Sequence, residues 1–193
     1  LGALQGASLN AGNDAYMAKN YDAAISSYAL SERIAKAFGQ VDTNAIFNMA
    51  LAYETKGDAA NAVKRYRDAV AAGYSEPKVY QYISSLEEKQ GNTDAAIAAA
   101  REGLAKFPSH KELRLQETSL LLAANRSEEA ETSLKAAIAS DPGNANLWFA
   151  LGNLFDKKAT ESKDPAAMQE WYLKAEEAYK KAIEVDPKLF DAY

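Results

Sequence analysis

Residues 148–155 read WFALGNLF and residues 175–187 read AEEAYKKAIEVDP, and these two stretches decide the fold. The first stretch places Gly152 among large apolar residues, which predicts that a second helix crosses closely at that point. The second stretch carries small residues at helical spacing and ends at Pro187, which cannot continue a helix. Together the two stretches predict a pair of packed helices.

The same pattern occurs five times along the chain. Its clearest marker is a small residue in the second helix, with successive spacings of 38, 34, 34 and 45 residues, at Ala24, Ala62, Ala96, Ala130 and Ala175. Twelve residues earlier lies another small residue, at Gly12, Ala50, Ser84 and Thr118 and, once an insertion is allowed for, at Gly152. The chain is therefore a repeat of 34 residues with insertions of 4 and 11 residues.

Short turns such as Gly57-Asp58 separate the halves of each repeat, which predicts antiparallel helix pairs. The predicted helices cover residues 8–19, 21–38, 43–56, 59–72, 77–90, 93–106, 111–124, 127–140, 145–159 and 165–185. The predicted repeats cover about 5–42, 43–76, 77–110, 111–144 and 145–189 of a single domain spanning 1–193, with the insertion at 159–165. Residues 190–193 are interpreted as the start of a truncated sixth repeat.

These columns resemble the tetratricopeptide repeat, whose signature residues occur in order at Trp148, Leu151, Gly152, Phe155, Ala175, Tyr179, Ala182 and Pro187. The resemblance implies an all-α fold, a right-handed superhelical solenoid in which each antiparallel helix pair is buried only by its neighbours. The ending, an Asp-Pro followed by Phe-Asp-Ala-Tyr, is similar to exported bacterial members of the family. That similarity favours the bacterial periplasm.

The resemblance also implies a function, a scaffold or adaptor that binds a polypeptide segment in a concave groove lined by the first helix of each pair. The amides and rings at the corresponding positions suit an extended peptide. The candidate contacts are Asn10, Asn13, Tyr16, Phe47, Asn48, Lys78, Gln81, Tyr82, Phe149 and Asn153. The alternative is a structural or self-assembly module of a longer protein, which forms homo-oligomers through its C-terminal end.

Some family members grip an acidic C-terminus with a clamp of Lys and Asn residues. The corresponding positions here are Leu9, Asn13, Asn48, Lys78 and Tyr82. Because two of the cationic positions are lost, the sequence predicts that this surface does not bind a doubly anionic chain terminus.

Composition and motifs argue against several other functions. The net charge is -5 with both signs interleaved, which excludes the basic stripe that nucleic acid requires, and no apolar run is long enough to insert in a membrane. There is no cysteine, and the single histidine, His110, lies at a helix start, where a solvated or capping role is expected. The sequence therefore predicts a protein that is not an enzyme and needs no cofactor or metal.

Two places depart from the repeat. Arg114 and Glu117 replace large apolar residues, and we expect Arg114 to pair with Glu117 or with Glu87. In the fifth repeat, Asp164-Pro165 predicts an early start of the second helix. Its extra turns carry an apolar ledge formed by Met168, Trp171 and Tyr172. This ledge would contact a partner, or it would instead pack on an extension of the first helix past Lys158.

Overall fold

The structure is a computed structural model that describes residues 2–190, with side chains as far as Lys188. It contains ten α-helices and a final 3-10 turn, with no strand among those residues: α1 Gly2–Met17, α2 Tyr21–Ala37, α3 Thr43–Lys56, α4 Ala59–Ala71, α5 Pro77–Lys89, α6 Thr93–Lys106, α7 Lys111–Ala123, α8 Ser127–Ser140, α9 Ala145–Glu161, α10 Pro165–Val185, and the turn Pro187–Phe190. The predicted all-α fold of antiparallel helix pairs is confirmed. Residues 191–193 of the predicted sixth repeat lie outside the described residues.

The chain divides into two units, unit 1 comprising residues 1–99 and unit 2 comprising residues 100–193, with the division inside α6. Within unit 1, α1 packs on α2, α2 on α3, α3 on α4 and α4 on α5. Within unit 2, α7 packs on α8, α8 on α9 and α9 on α10. The assignment of residues 1–193 to one domain stays a prediction.

The small residues of the repeat are the places where helices touch. All five alanines of the marker column are 0–2% exposed. At Gly12 an added Cβ would lie 2.4 Å from the Tyr28 ring, and at Gly152 it would lie 2.5 Å from the Tyr179 ring. Each tyrosine ring of the second helix therefore packs directly against the backbone of the first helix, at a distance that only glycine permits.

The first helix is longer than its sequence predicts, since α1 begins at Gly2 rather than at residue 8. Two glycines lower the helix propensity of this stretch, but tertiary contacts hold it. Gln5 donates from Nε2 to Asp42 Oδ2 at 2.9 Å, and its carbonyl accepts from Ser31 Oγ at 3.2 Å. These bonds tie the first turns of α1 to α2 and to the start of α3.

Asp42, the N-cap of α3, is a buried carboxylate at the centre of this contact. It is 7% exposed and accepts from Ala45 N at 3.0 Å and from Ser31 Oγ at 2.7 Å, in addition to Gln5. Burial opposes ionisation, but the hydrogen bonds from Gln5, Ala45 and Ser31 outweigh it and hold the pKa of Asp42 below its usual range. The ionised Asp42 carboxylate thus links α1, α2 and α3 through its hydrogen bonds.

The insertion lengthens both helices of the fifth pair. Helix α9 has 17 residues and α10 has 21, whereas α3 and α6 have 14 each. The predicted early start is confirmed, because Asp164 caps α10 by accepting from Ala166 N at 3.0 Å, with Pro165 as the first helical residue. Helix α9 ends at Glu161, two residues beyond the predicted end, so the inserted residues extend both helices.

Candidate functional site

Two asparagines of the predicted groove meet in unit 1, one on α1 and one on α3. Asn13 Oδ1 accepts from the Tyr28 hydroxyl at 2.9 Å and from Asn48 Nδ2 at 3.3 Å. Burial, and then the neighbouring Tyr16, raise the pKa of Tyr28, so its hydroxyl keeps its proton and acts as a donor. The tyrosine therefore fixes the orientation of the exposed Asn13 amide, and Asn13 in turn orients Asn48.

An aromatic cluster adjoins these amides on α3 and α5. Phe47 stacks on Tyr74 at 4.5 Å between centroids and lies 6.3 Å from the ring of Tyr82, with Lys78 Nζ 5.4 Å from its centroid. Phe47 is only 7% exposed, so it supports the cluster from below. The half-exposed rings of Tyr74 and Tyr82 and the exposed Lys78 are the parts that face solvent.

Tyr66 holds the cluster on its inner side. Its ring lies 5.4 Å from both Phe47 and Tyr82, and its hydroxyl donates to Glu54 Oε2 at 2.7 Å. Burial and the hydrogen bond to the Glu54 carboxylate raise the pKa of Tyr66 far above its usual range. Sequence reasoning missed Tyr74, which lies in the turn before Pro77, outside the repeat's helical columns.

The remaining predicted contacts of unit 1 are more scattered. Tyr16 is half-buried, its ring lies 5.6 Å from that of Tyr21, and its hydroxyl lies 2.9 Å from Thr55 Oγ1. Asn10 is exposed on α1 and Gln81 is half-buried on α5. Among the predicted contacts of unit 1, Asn13 is thus hydrogen-bonded to Asn48, and Phe47 contacts Lys78 and Tyr82.

Unit 2 repeats the tyrosine–asparagine arrangement on α9 and α10. The Tyr179 hydroxyl donates to Asn153 Oδ1 at 2.8 Å, and the Phe149 ring lies 5.6 Å from the Tyr179 ring. Burial, and then the Asp156 carboxylate, raise the pKa of Tyr179. Asn153 is exposed, as Asn13 is in unit 1.

The predicted ledge on α10 is largely occupied by contacts within unit 2. Trp171 is half-buried, stacks on Phe155 at 5.7 Å, and carries Lys158 Nζ at 4.6 Å and Lys174 Nζ at 4.1 Å from its ring. Met168 is half-buried, and Tyr172 is 43% exposed. Trp171 thus packs on Phe155 and Lys158 of α9 and on Lys174 of its own helix, and Tyr172 is the most exposed of the three ledge residues.

Lys158 itself is buried, which the sequence did not indicate. It is 8% exposed, and its Nζ lies 2.5 Å from Glu131 Oε2 and 2.8 Å from Glu128 Oε1. Burial disfavours the charged ammonium, but the bonds to Glu128 and Glu131 outweigh it and raise the pKa of Lys158. The lysine links α9 to α8.

The second departure from the repeat, on α7, is also satisfied by charge pairing. Glu117 is buried, and Arg114 lies 3.5 Å from its Oε2, which confirms the pairing predicted within α7. Two further donors were not foreseen, Arg101 Nε at 2.7 Å and Ser133 Oγ at 2.8 Å. These three donors allow a carboxylate to replace an apolar side chain in the core.

No metal-binding group of acidic, histidine or cysteine side chains occurs among residues 2–190. His110 is the N-cap of α7, accepting from Leu113 N at 3.3 Å, which confirms the expected capping role. Within the described part of the chain, no helix combines the length and the apolar character needed to cross a membrane.

Comparison with known proteins identifies the family. Three models described as "Tetratricopeptide repeat" match residues 47–111, 88–154 and 168–189, and together they cover most of the chain. The chain therefore belongs to the tetratricopeptide repeat family, a fold that serves as a protein–protein interaction scaffold and is generally not enzymatic.

One curated relative is the TPR repeat-containing protein YpiA of Bacillus subtilis, 28% identical over 117 residues. The match covers 61% of this chain and 28% of the length of YpiA.

Among solved structures, a crystal structure of MamA protein superposes with a TM-score of 0.71 at 15% identity, covering 97% of this chain and 94% of that one. YrrB, titled a TPR protein with an unusual peptide-binding site, has a TM-score of 0.65 at 18% identity, covering 93% of this chain and 85% of YrrB. At these identities the likeness concerns the fold.

Proposed function

We propose that this protein is a scaffold whose unit 1 binds an extended polypeptide segment along the surface of α1, α3 and α5. The observation that carries the proposal is the Tyr28–Asn13–Asn48 chain of hydrogen bonds. Because Asn13 Oδ1 already accepts two bonds, a ligand would pair with the Asn13 amide nitrogen. Because Asn48 Nδ2 donates to Asn13, a ligand would pair with Asn48 Oδ1.

This pair of groups matches one residue of an extended chain, whose backbone N–H and C=O point to the same side. Asn13 would donate to a backbone carbonyl and Asn48 would accept from a backbone N–H, the two groups that an extended peptide leaves without partners. Fixing the amides in advance lowers the entropy lost on binding. The rings of Tyr74 and Tyr82, with Lys78 beside them, supply contact area for the side chains of the bound segment.

The proposal is tested by selecting ligands from a random peptide library displayed on phage and measuring their Kd by fluorescence anisotropy. Changing Asn13 and Asn48 together to Ala should weaken binding by about 10- to 100-fold, because each lost hydrogen bond contributes roughly 1 kcal/mol. The matched control is N146A, an exposed asparagine on α9 in unit 2, which should leave the Kd unchanged. Equal affinity of wild type and the double variant would refute the proposal.

Self-assembly remains the alternative, and exposed apolar residues on α10 favour it. Leu173 is 60% exposed, Ile183 45% and Tyr172 43%. Light scattering distinguishes the two functions: a monomer that binds peptide supports the scaffold, whereas a dimer abolished by Leu173→Ser and Ile183→Ser supports self-assembly.

A further inference from the structure

The carboxylate of Glu54, near the end of α3, is half-buried in unit 1. Its Oε2 accepts a hydrogen bond from the Tyr66 hydroxyl at 2.7 Å. Among the residues that the structure describes, no second donor reaches this carboxylate and no lysine or arginine lies within ion-pair distance of it. Oε1 is therefore left to accept from solvent or from a ligand.

Two lysines of unit 1 could be expected to neutralise Glu54, but each has another contact. Lys56, two residues further along the chain, pairs with Asp22 at 2.6 Å. Lys78 lies over the ring of Phe47, which is seven residues before Glu54 and so about 10 Å away along the axis of α3. Neither lysine therefore balances the negative charge of Glu54.

Two further tyrosines, one on α1 and one on α5, lie close to the Tyr66 hydroxyl. The ring of Tyr82 stacks on that of Tyr66 at 5.4 Å between centroids. After burial and Glu54, the next causes that raise the pKa of Tyr66 are Tyr82 and then Tyr16, so both of these hydroxyls lie near the Glu54 carboxylate. Tyr16 and Tyr82 are half-buried, so part of each ring is open to a ligand.

The hydrogen bonds of this surface leave acceptors rather than donors for a ligand. Thr55 Oγ1 donates to the Leu51 carbonyl at 2.8 Å, so in its contact with the Tyr16 hydroxyl at 2.9 Å the tyrosine is the donor. Tyr16 and Tyr66 thus both donate their protons within unit 1, and their oxygens, like Glu54 Oε1, can only accept. Acceptors and ring faces around a negative charge fit a cation that carries several N–H donors.

A ligand that covered Glu54 without a cation would bind poorly. Asn48 and Thr55 are seven residues apart on one face of α3, so the proposed asparagine contact lies about 10 Å along the axis from the residue next to Glu54. About three residues of an extended segment span that distance, and such a segment removes water from the carboxylate. Because an unpaired carboxylate is costly to desolvate, an apolar or acidic side chain at this place opposes binding.

We infer that the bound segment places a lysine or arginine side chain against Glu54, between the rings of Tyr16 and Tyr82. The inference rests on the proposed peptide-binding function and specifies which residue type the scaffold selects. The ammonium or guanidinium group donates to Glu54 Oε1 and to the tyrosine oxygens, while its aliphatic stem lies along the rings. The basic residue lies within about three positions of the residue that pairs with Asn13 and Asn48.

The first test selects peptides from the random phage library on the wild-type chain and on E54Q, whose glutamine oxygen can still accept from Tyr66. Peptides selected by the wild type should carry lysine or arginine at one fixed position, and those selected by E54Q should not. In the best wild-type ligand, changing that residue to norleucine should weaken binding about tenfold or more, because charge-assisted hydrogen bonds are lost. On E54Q the same change should have little effect, since the partner is already absent.

Two other variants separate this site from general electrostatics and from damage to the fold. E54K should bind a peptide with glutamate at the selected position more tightly than the wild type does, a gain that a damaged fold would not produce. E76Q removes the same charge as E54Q from an exposed residue just before α5, and it should leave the affinity for the basic peptide unchanged.

A second measurement needs no selected ligand. A pentapeptide with one arginine in the centre of four alanines, blocked at both ends, is titrated at millimolar concentration into the full 193-residue chain carrying isotope-labelled tyrosine. The nuclear magnetic resonance signals of the Tyr16 and Tyr82 rings should shift. They should stay in place with E54Q, and also when glutamate replaces the arginine of the peptide.

The outcomes distinguish this inference from the proposed function. Selected peptides that depend on Asn13 and Asn48 but show no preference for a basic residue would overturn the inference and leave the proposed function standing. Binding that needs the basic residue but is unchanged in N13A/N48A would rule out the asparagine contact and support the Glu54 site. Tyrosine signals that respond equally in the wild type and in E54Q, or do not respond at all, would also overturn the inference.

Discussion

At the scale of single residues, the two tyrosine–glycine contacts show how tightly each pair is built. Tyr28 against Gly12 and Tyr179 against Gly152 leave no room for a methyl group. The Tyr28 hydroxyl also orients Asn13 and, through it, Asn48, while the Tyr179 hydroxyl orients Asn153. Helix packing and the orientation of the exposed asparagine amides therefore depend on the same tyrosine side chain.

Gly12→Ala should destabilise the protein by about 1–3 kcal/mol, because overpacking forces the Tyr28 ring away from α1. It should also weaken any ligand that depends on Asn13, since the ring positions that amide. The control is Gly6→Ala, where an added Cβ meets nothing within 4 Å and helix propensity favours alanine. Urea unfolding followed by circular dichroism measures the free energy of unfolding of both variants. A Gly12→Ala variant as stable as Gly6→Ala would contradict the prediction.

The buried carboxylate of Asp42 makes the free energy of unfolding depend on pH. Its pKa in the folded state lies below the ordinary value of 3.8, so its stabilising effect is complete above that value and is lost as the pH falls through the lower folded value. Asp42→Asn should cost about 1–3 kcal/mol at pH 7, because it weakens charge-assisted hydrogen bonds in a buried site. Urea unfolding at pH 7 and at pH 3 should show the difference from wild type shrinking at pH 3. A difference independent of pH would contradict this.

At the scale of helices, the fifth pair is held by one buried ion pair as well as by apolar packing. Lys158 joins α9 to Glu131 of α8 and lies over Trp171 of α10. The lysine contacts three helices where the inserted turns begin, so its loss should loosen all three.

Lys158→Ala should cost about 2 kcal/mol, less than the 3–5 kcal/mol typical of breaking a fully buried pair, because Glu131 keeps Lys135 as a partner. It should also shift tryptophan emission to the red as Trp171 becomes more hydrated. The control is Lys163→Ala, an exposed lysine of the same insertion, which should change stability by less than about 0.5 kcal/mol. Equal stability of the two variants would show that the Lys158 pair contributes nothing.

At the scale of the molecule, the chain has two units whose division lies inside one helix, α6. Because residues 93–99 of α6 belong to unit 1 and residues 100–106 belong to unit 2, we expect the unfolding of the two units to be coupled. Both tryptophans belong to unit 2, whereas circular dichroism reports all helices. The two signals should therefore give coincident urea transitions, and separate midpoints would indicate independent domains.

Much of this architecture could be predicted from the sequence because small residues repeat at a fixed period. The alanine and glycine columns gave the helix pairs, and most predicted ends agree with the structure to within one or two residues. The start of α1 was missed because tertiary hydrogen bonds from Gln5 hold a stretch of low helix propensity. Repeat columns describe local pattern, and such bonds join residues far apart in the chain.

The candidate site was less predictable for the same reason. The repeat spacing pointed to Asn13 and Asn48 but not to Tyr28, whose hydroxyl orients Asn13. It also suggested Phe47 as a ligand contact, although that ring is nearly buried. Tyr74 lies in a turn, where no column applies. The burial of Lys158 depends on two glutamates of the preceding helix, which no pattern within its own helix indicates.

The inserted residues of the fifth pair lengthen α9 by three residues and α10 by seven relative to the 14-residue helices α3 and α6. These increments are close to one and two whole helical turns, so every inward-facing position below the insertion keeps its orientation. Gly152 and Tyr179 accordingly meet just as Gly12 and Tyr28 do, although more residues separate them. Whole helical turns can thus be inserted or deleted at the tip of the α9–α10 hairpin without changing the register in which the rest of the two helices pack.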